Sequence, residues 1–142
     1  MAVHYRAESD TYYERRKVGN QTIELGINFY DENNNNKSYW NIYITIFNKR
    51  KDMYSNMDKK IITGKDPILT MLTAREMFRE VEQYVVENEL TYGRYDEITI
   101  FCGWVDNRRR DAYYRVLSKM GYIWGYVDNQ KCIMKTYKLN EE

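Results

Sequence analysis

Three consecutive arginines, Arg108-Arg109-Arg110, open a segment patterned as a short helix. A helix N-terminus carries partial positive charge and disfavours cations. Two arrangements would accommodate the run. The arginines pair with nearby carboxylates such as Asp106 and Asp111, or they face an anion. That anion would be a cofactor phosphate, a nucleic-acid backbone or an acidic partner. Other chemistry-bearing residues are sparse. His4 is the single histidine and stands near the N-terminus, so neither a Ser-His-Asp nor a Cys-His set can be assembled. Cys102 and Cys132 both lie in apolar strand patterns and read as buried thiols rather than a ligand pair. With one histidine beside them, they make no zinc site.

The balance of charge narrows the partners. Charged residues are 30% of the 142, yet the net charge is only +1. No global field draws the chain to a polyanion. Acidic stretches such as Glu80-Val81-Glu82 and Glu141-Glu142 offset the basic runs, which argues against nucleic acid. Asn48-Lys49-Arg50-Lys51 reads as a solvated loop. No run of about 18 apolar residues is present, so no membrane span is expected. The first ten residues lack a signal-peptide core, which leads us to expect a cytoplasmic protein. Fifteen tyrosines and one proline fit translation of an AT-rich genome, such as that of a phage. Host cytoplasm or a virion is the location that composition implies.

A length of 142 residues suits one domain spanning 1–142. Ile23, Leu25, Ile27 and Phe29 alternate with Thr22, Glu24, Gly26 and Asn28, and Trp40, Ile42, Ile44 and Ile46 with Asn41, Tyr43, Thr45 and Phe47. Period two on both sides of Asn33–Asn36 predicts a hairpin, with asparagines tolerating left-handed turn geometry. Residues 39–47 carry large side chains on both faces, since Tyr39, Tyr43 and Phe47 lie opposite Trp40 and the isoleucines. Such a strand is expected to be covered twice, by helices or by a partner. A weaker strand is expected over 53–63 and an extra one over 5–15. Asp66 suits an N-cap and Pro67 a first helical position. A helix over about 67–88 then carries Leu69, Leu72, Met77, Phe78, Val81 and Val85 on one stripe. A strand at 97–102 and a helix at about 108–120 follow. Tyr113 lies on the apolar stripe of that helix, and Gly121 is placed to end it in a left-handed turn. Residues 122–127 and 132–139 read as a closing hairpin. The expected fold is α/β of the α+β kind: a mixed, mostly antiparallel sheet with the long helix on one face and the short helix on the other. The expected core includes Ile42, Ile44, Phe78, Val81, Ile98, Ile100, Val116 and Leu117.

The order β-β-β-α-β-α-β-β, with the helix-to-strand junction Gly121-Tyr122, resembles the GNAT N-acetyltransferase superfamily over about residues 18–139. The two early helices of that family have no counterpart here. The resemblance implies acetyl-CoA as cofactor, with its pyrophosphate at an Arg/Gln-x-x-Gly-x-Gly/Ala loop opening the central helix. Gly64 stands at the first glycine of that loop and Lys65 supplies a cation. Ile61 replaces the Arg/Gln, and Asp66 brings a carboxylate where a small residue is usual. The resemblance also implies an Asn early in the last helix and a Tyr that protonates the leaving thiolate. Asn107 and Tyr114 fill these roles only with the helix shifted by nearly one turn. Such departures favour a non-catalytic GNAT-like protein that acts by protein–protein contact and needs no cofactor, either a phage virion component or a host-interaction factor. The contact residues are then Tyr39, Tyr43 and Phe47 with Arg108, Arg109 and Arg110. An acyl-CoA-dependent N-acetyltransferase with a non-standard cofactor loop is the alternative.

Overall fold

The computed structural model describes residues 3–47, 67–104 and 106–139. Its strands are β1 (His4–Arg6), β2 (Thr11–Val18), β3 (Gln21–Glu32), β4 (Lys37–Phe47), β5 (Glu97–Cys102), β6 (Ile123–Val127) and β7 (Gln130–Lys138). Helix α1 (Pro67–Val86) leads into a π-helical turn at Glu87–Thr91, and α2 (Asn107–Leu117) into a 3₁₀ turn at Ser118–Met120. The expected weak strand over 53–63 lies outside the described residues. The expected strand over 5–15 is two strands, β1 and the start of β2, separated by a 3₁₀ turn at Ala7–Ser9.

The strands form one mixed sheet in the order β1-β2-β3-β4-β5-β7-β6. Every neighbouring pair is antiparallel except β4 and β5, which are parallel. The asparagine run behaves as its chemistry requires. Asn36 takes φ 61°, and Asn33 Oδ1 accepts the N–H groups of Asn35 at 2.9 Å and Lys37 at 3.2 Å.

Both helices lie on the same face of the sheet. One cavity is walled by α1, by α2 and by the Leu25, Ile42 and Ile44 side of the sheet, which places the two helices in one layer. This corrects the expectation of one helix on each face. The reason is topological. β4 to β5 is a parallel step, and β5 to β6 is a second parallel step in the same direction, skipping β7. Right-handed crossovers in the same direction deposit their helices on the same side.

The core fills the space between layers. Tyr12, Ile23, Leu25, Ile27, Trp40, Ile42, Ile98, Ile100, Cys102 and Ile133 from the sheet meet Met77, Phe78, Val81 and Val85 of α1 and Leu117 of α2. Ile44 and Val116, expected in the core, are only partly buried and line the cavity. The chain leaves α2 through Gly121, whose φ of 92° is the left-handed turn expected there. Tyr122 follows at once and is 1% exposed, with its ring edge-on to Phe78.

Candidate functional site

The other face of the sheet carries no helix among the described residues. Strand alternation sends Tyr13, Arg15 and Lys17 of β2, Glu24 and Gly26 of β3, and Tyr39, Tyr43 and Phe47 of β4 to that side. The side chains are organised. Tyr43 Oη donates to Glu24 Oε2 at 2.7 Å, and Arg15 Nε donates to Glu24 Oε1 at 2.7 Å. The Arg15 guanidinium lies 5.3 Å from the Phe47 ring and 5.9 Å from that of Tyr13, and Arg6 lies 4.4 Å from the Tyr13 ring. Gly26 permits the arrangement, because a Cβ there would fall 2.5 Å from Tyr43 Cε1. Burial, reinforced by the bond to Glu24, pushes the Tyr43 phenol well above its ordinary value, so it remains a donor at neutral pH. Tyr39 sits further along β4, packed on a small cluster of Phe101, Val127, Cys132 and Met134. Cations held over half-buried rings suit recognition by stacking and cation–π contact. They supply no general base or nucleophile.

The candidate arginines lie elsewhere. Asp106 caps α2 by accepting the Arg109 N–H at 2.8 Å, and its other carboxylate oxygen pairs with the Arg109 guanidinium. Arg110 Nε donates to Asp111 Oδ1 at 3.0 Å, while Arg108 is exposed. Local carboxylates thus balance two of the three cations at the helix N-terminus. The three arginines belong to the helical layer, and the tyrosines to the opposite side of the sheet.

A second feature lies at the end of the parallel pair. Backbone pairing of β4 and β5 stops at Asn41 and Phe101. Just beyond, between the helices and the sheet, is an apolar cavity of about 110 Å³ lined by Ile44, Met71, Phe78, Cys102, Tyr113 and Val116 among others. Tyr113 Oη is buried with no hydrogen-bond partner, and burial pushes its phenol upward. Tyr114 is not in the cavity wall. Its ring stacks on Trp124 at 4.5 Å between centroids and 11° between planes. Asn107 is the exposed first residue of α2. Gly64 and Lys65, with Ile61 and Asp66, lie outside the described residues.

Both cysteines are free and buried. Burial, with Cys132 nearby, pushes the Cys102 thiol up to about 12, and burial pushes that of Cys132 to about 11. Such thiols are poor nucleophiles at neutral pH. Among the described residues no three His, Cys, Asp or Glu side chains converge as metal ligands, and no helix is long and apolar enough to cross a membrane.

The residues that organise the open face (Arg6, Tyr13, Arg15 and Glu24) were not singled out from the sequence. A signal existed in β2, where Tyr13, Arg15 and Lys17 alternate with Tyr12, Glu14 and Arg16. Neither set is apolar, so the usual inside/outside reading gives no answer there.

The described residues form a two-layer α+β arrangement: a mixed seven-stranded sheet covered by two helices on one side and bearing an aromatic and cationic face on the other. Comparison with protein-family models, with curated proteins and with solved structures found no match to this chain.

Proposed function

We propose that this chain is a non-catalytic GNAT-like domain that works by protein–protein contact, as a phage virion component or a host-interaction factor. The contact surface is the open sheet face centred on Tyr39, Tyr43 and Phe47. One observation carries this reading: large aromatic side chains stand partly exposed, in fixed positions, on a sheet face that no described helix covers. Ordered rings lose little freedom on binding, and tyrosine is favoured at interfaces because it offers both area and a hydroxyl. Arg6 and Arg15 extend the surface toward an acidic rim on the partner. Arg108 on the helical layer is then a separate, minor contact.

Site-specific photo-crosslinking tests the reading. A benzophenone side chain is placed at Phe47 or Tyr39, and as a control at Tyr92, which is 85% exposed just after the π-helical turn that follows α1. The expected result is a discrete crosslinked protein in the native host from positions 47 and 39 and none from 92. Identical patterns from all three positions would remove the open face as the contact surface.

An acyl-CoA-dependent N-acetyltransferase is the second reading, and the cavity beyond the β4–β5 pair is what favours it. In open sheets, ligands bind outside the carboxyl ends of parallel strands. An apolar pocket lined by Ile44, Phe78 and Cys102 suits an acyl chain. Acetyl-CoA at about 100 times its dissociation constant would stabilise the fold by about 2.7 kcal/mol, a readily measured thermal shift. Absence of any shift at millimolar cofactor removes this reading.

A further inference from the structure

The two outer strands of the sheet are not alike. β1 is three residues long and carries His4 and Arg6, which is how sheets blunt an edge. β6, Ile123-Trp124-Gly125-Tyr126-Val127, has five residues with no charge and no proline. Ile123 is 64% exposed, Trp124 38% and Tyr126 66%. Among the described residues nothing pairs with its outer side.

The hairpin fixes which backbone groups face outward. Asp128 and Asn129 have φ of 52° and 64°, the signature of a two-residue type I′ turn. Val127 and Gln130 close that turn as a hydrogen-bonded pair, so alternation turns Ile123, Gly125 and Val127 inward to β7. The N–H and C=O groups of Trp124 and Tyr126 therefore point out of the sheet. These are two evenly placed donor–acceptor sets, symmetric about Gly125.

We propose that β6 is a homodimerisation edge: a second copy of this chain adds its own β6 antiparallel across a two-fold axis at Gly125, joining two seven-stranded sheets into one. Self-pairing about Gly125 sets Trp124 opposite Tyr126 of the second copy, and the reverse, each pair exchanging two backbone hydrogen bonds. On the other face Ile123 meets the second Val127. Aromatic and β-branched cross-strand pairs of this kind stabilise a ladder. At the axis the two Gly125 residues form the close, non-hydrogen-bonded pair; neither brings a side chain of its own, and Met134 of each copy lies over its Gly125. The strand bears no charge, so it selects no charged partner and two copies meet without repulsion. Trp124 is already held by Tyr114 on one side and has Lys131 Nζ at 5.2 Å, so its ring is ordered before association. One strand edge is a small interface, which implies a reversible dimer rather than an obligate one.

Sedimentation velocity on the full chain from about 1 to about 100 µM reads the equilibrium directly. The expected result is a concentration-dependent dimer that Ile123→Lys/Tyr126→Lys weakens at least about 100-fold, while Tyr43→Ala on the open sheet face leaves it intact. Circular dichroism confirms the fold of each variant, and Tyr126→Lys alone serves if the double variant melts early. Hydrogen exchange gives a second readout: the Trp124 and Tyr126 amides should slow with concentration while those of β1 do not. A chain monomeric throughout the range would overturn the proposal. So would a dimer untouched by the β6 lysines, one equally lost in Tyr43→Ala, or exchange at Trp124 and Tyr126 independent of concentration.

Discussion

The hydroxyl of Tyr122 donates to Glu82 Oε2 at 2.7 Å, tying the residue after Gly121 to the C-terminal part of α1. Tyr137 of β7 donates to the same oxygen at 2.9 Å. One carboxylate thus clamps the long helix to β7 and to the residue that leads into β6. Burial, with the Glu82 charge, pushes the Tyr122 phenol far above its ordinary value, so the bond persists across the physiological range. Tyr122→Phe should cost about 1–2 kcal/mol, because Tyr137 still satisfies Glu82. Tyr122→Phe/Tyr137→Phe should cost more than the two single changes added, since the carboxylate is then left bare. A double-mutant cycle by urea denaturation reads the coupling; strict additivity would show the clamp to be two independent bonds.

Gly121→Ala should destabilise by about 1–2 kcal/mol. At φ 92° the penalty comes from left-handed backbone geometry rather than crowding, for the nearest atom to a new Cβ is Lys135 Nζ at 3.2 Å, the end of a long side chain that donates to Met120 O. Lys135→Ala should therefore fail to rescue Gly121→Ala. Recovery of stability in the double variant would move the cause from backbone to side chain.

Gly26→Ala tests the reverse case. Its Cβ would meet the Tyr43 ring at 2.5 Å, and that ring is anchored on Glu24. The expected cost is about 1–3 kcal/mol from overpacking. Here removal of the neighbour should help: Gly26→Ala costs less in a Tyr43→Ala background. Equal costs in both backgrounds, from chemical melts, would argue that the Tyr43 ring yields freely.

Glu14 supplies a pH test. It is fully buried on β2, pairs with Arg16, and its Oε1 has no partner. Arg16 also reaches Glu76 and Glu80 of α1. Burial raises the Glu14 carboxyl against the pull of Arg16, and the Glu80 carboxylate raises it further. Glu80 moves the other way, held below its ordinary value by the hydrogen bond from Arg16. A carboxyl raised in the folded state contributes its full stability below its unfolded value, near 4.3, and loses it as pH rises through the folded value. A lowered carboxyl contributes above its unfolded value and loses that stability as pH falls. Glu14→Gln removes the first effect and keeps the second. The variant should therefore gain stability relative to the wild type as pH rises from about 4 to about 7. Parallel stability curves for the two proteins would mean that folding leaves the Glu14 carboxyl unshifted.

Much of the local structure was written in the sequence. Alternation at Ile23–Phe29 and Trp40–Ile46 specified two strands around the Asn33–Asn36 turn, and strand β5 was placed at residues 97–102. Pro67 begins α1 and Gly121 ends the α2 segment in the left-handed conformation, because each answers a backbone requirement that neighbours cannot change. Glu14 was not legible. A charge amid β2 has no place in an apolar pattern, and its burial is offset by Arg16, which Glu76 and Glu80 of α1 hold in place beside it.

The placement of whole elements was decided by tertiary structure alone. Periodicity records which side chains share a face; it carries no information on which side of the sheet a helix will lie. That choice followed from the parallel joining of β4 and β5 and from the skipped step over β7, which put both helices on one side. The same choice left Tyr39, Tyr43 and Phe47 on a face with no helix among the described residues and stacked Tyr114 on Trp124, away from the cavity that its neighbour Tyr113 lines. Strand and helix signals act over a few residues and survive in any context, whereas strand order and crossover hand are properties of the assembled sheet.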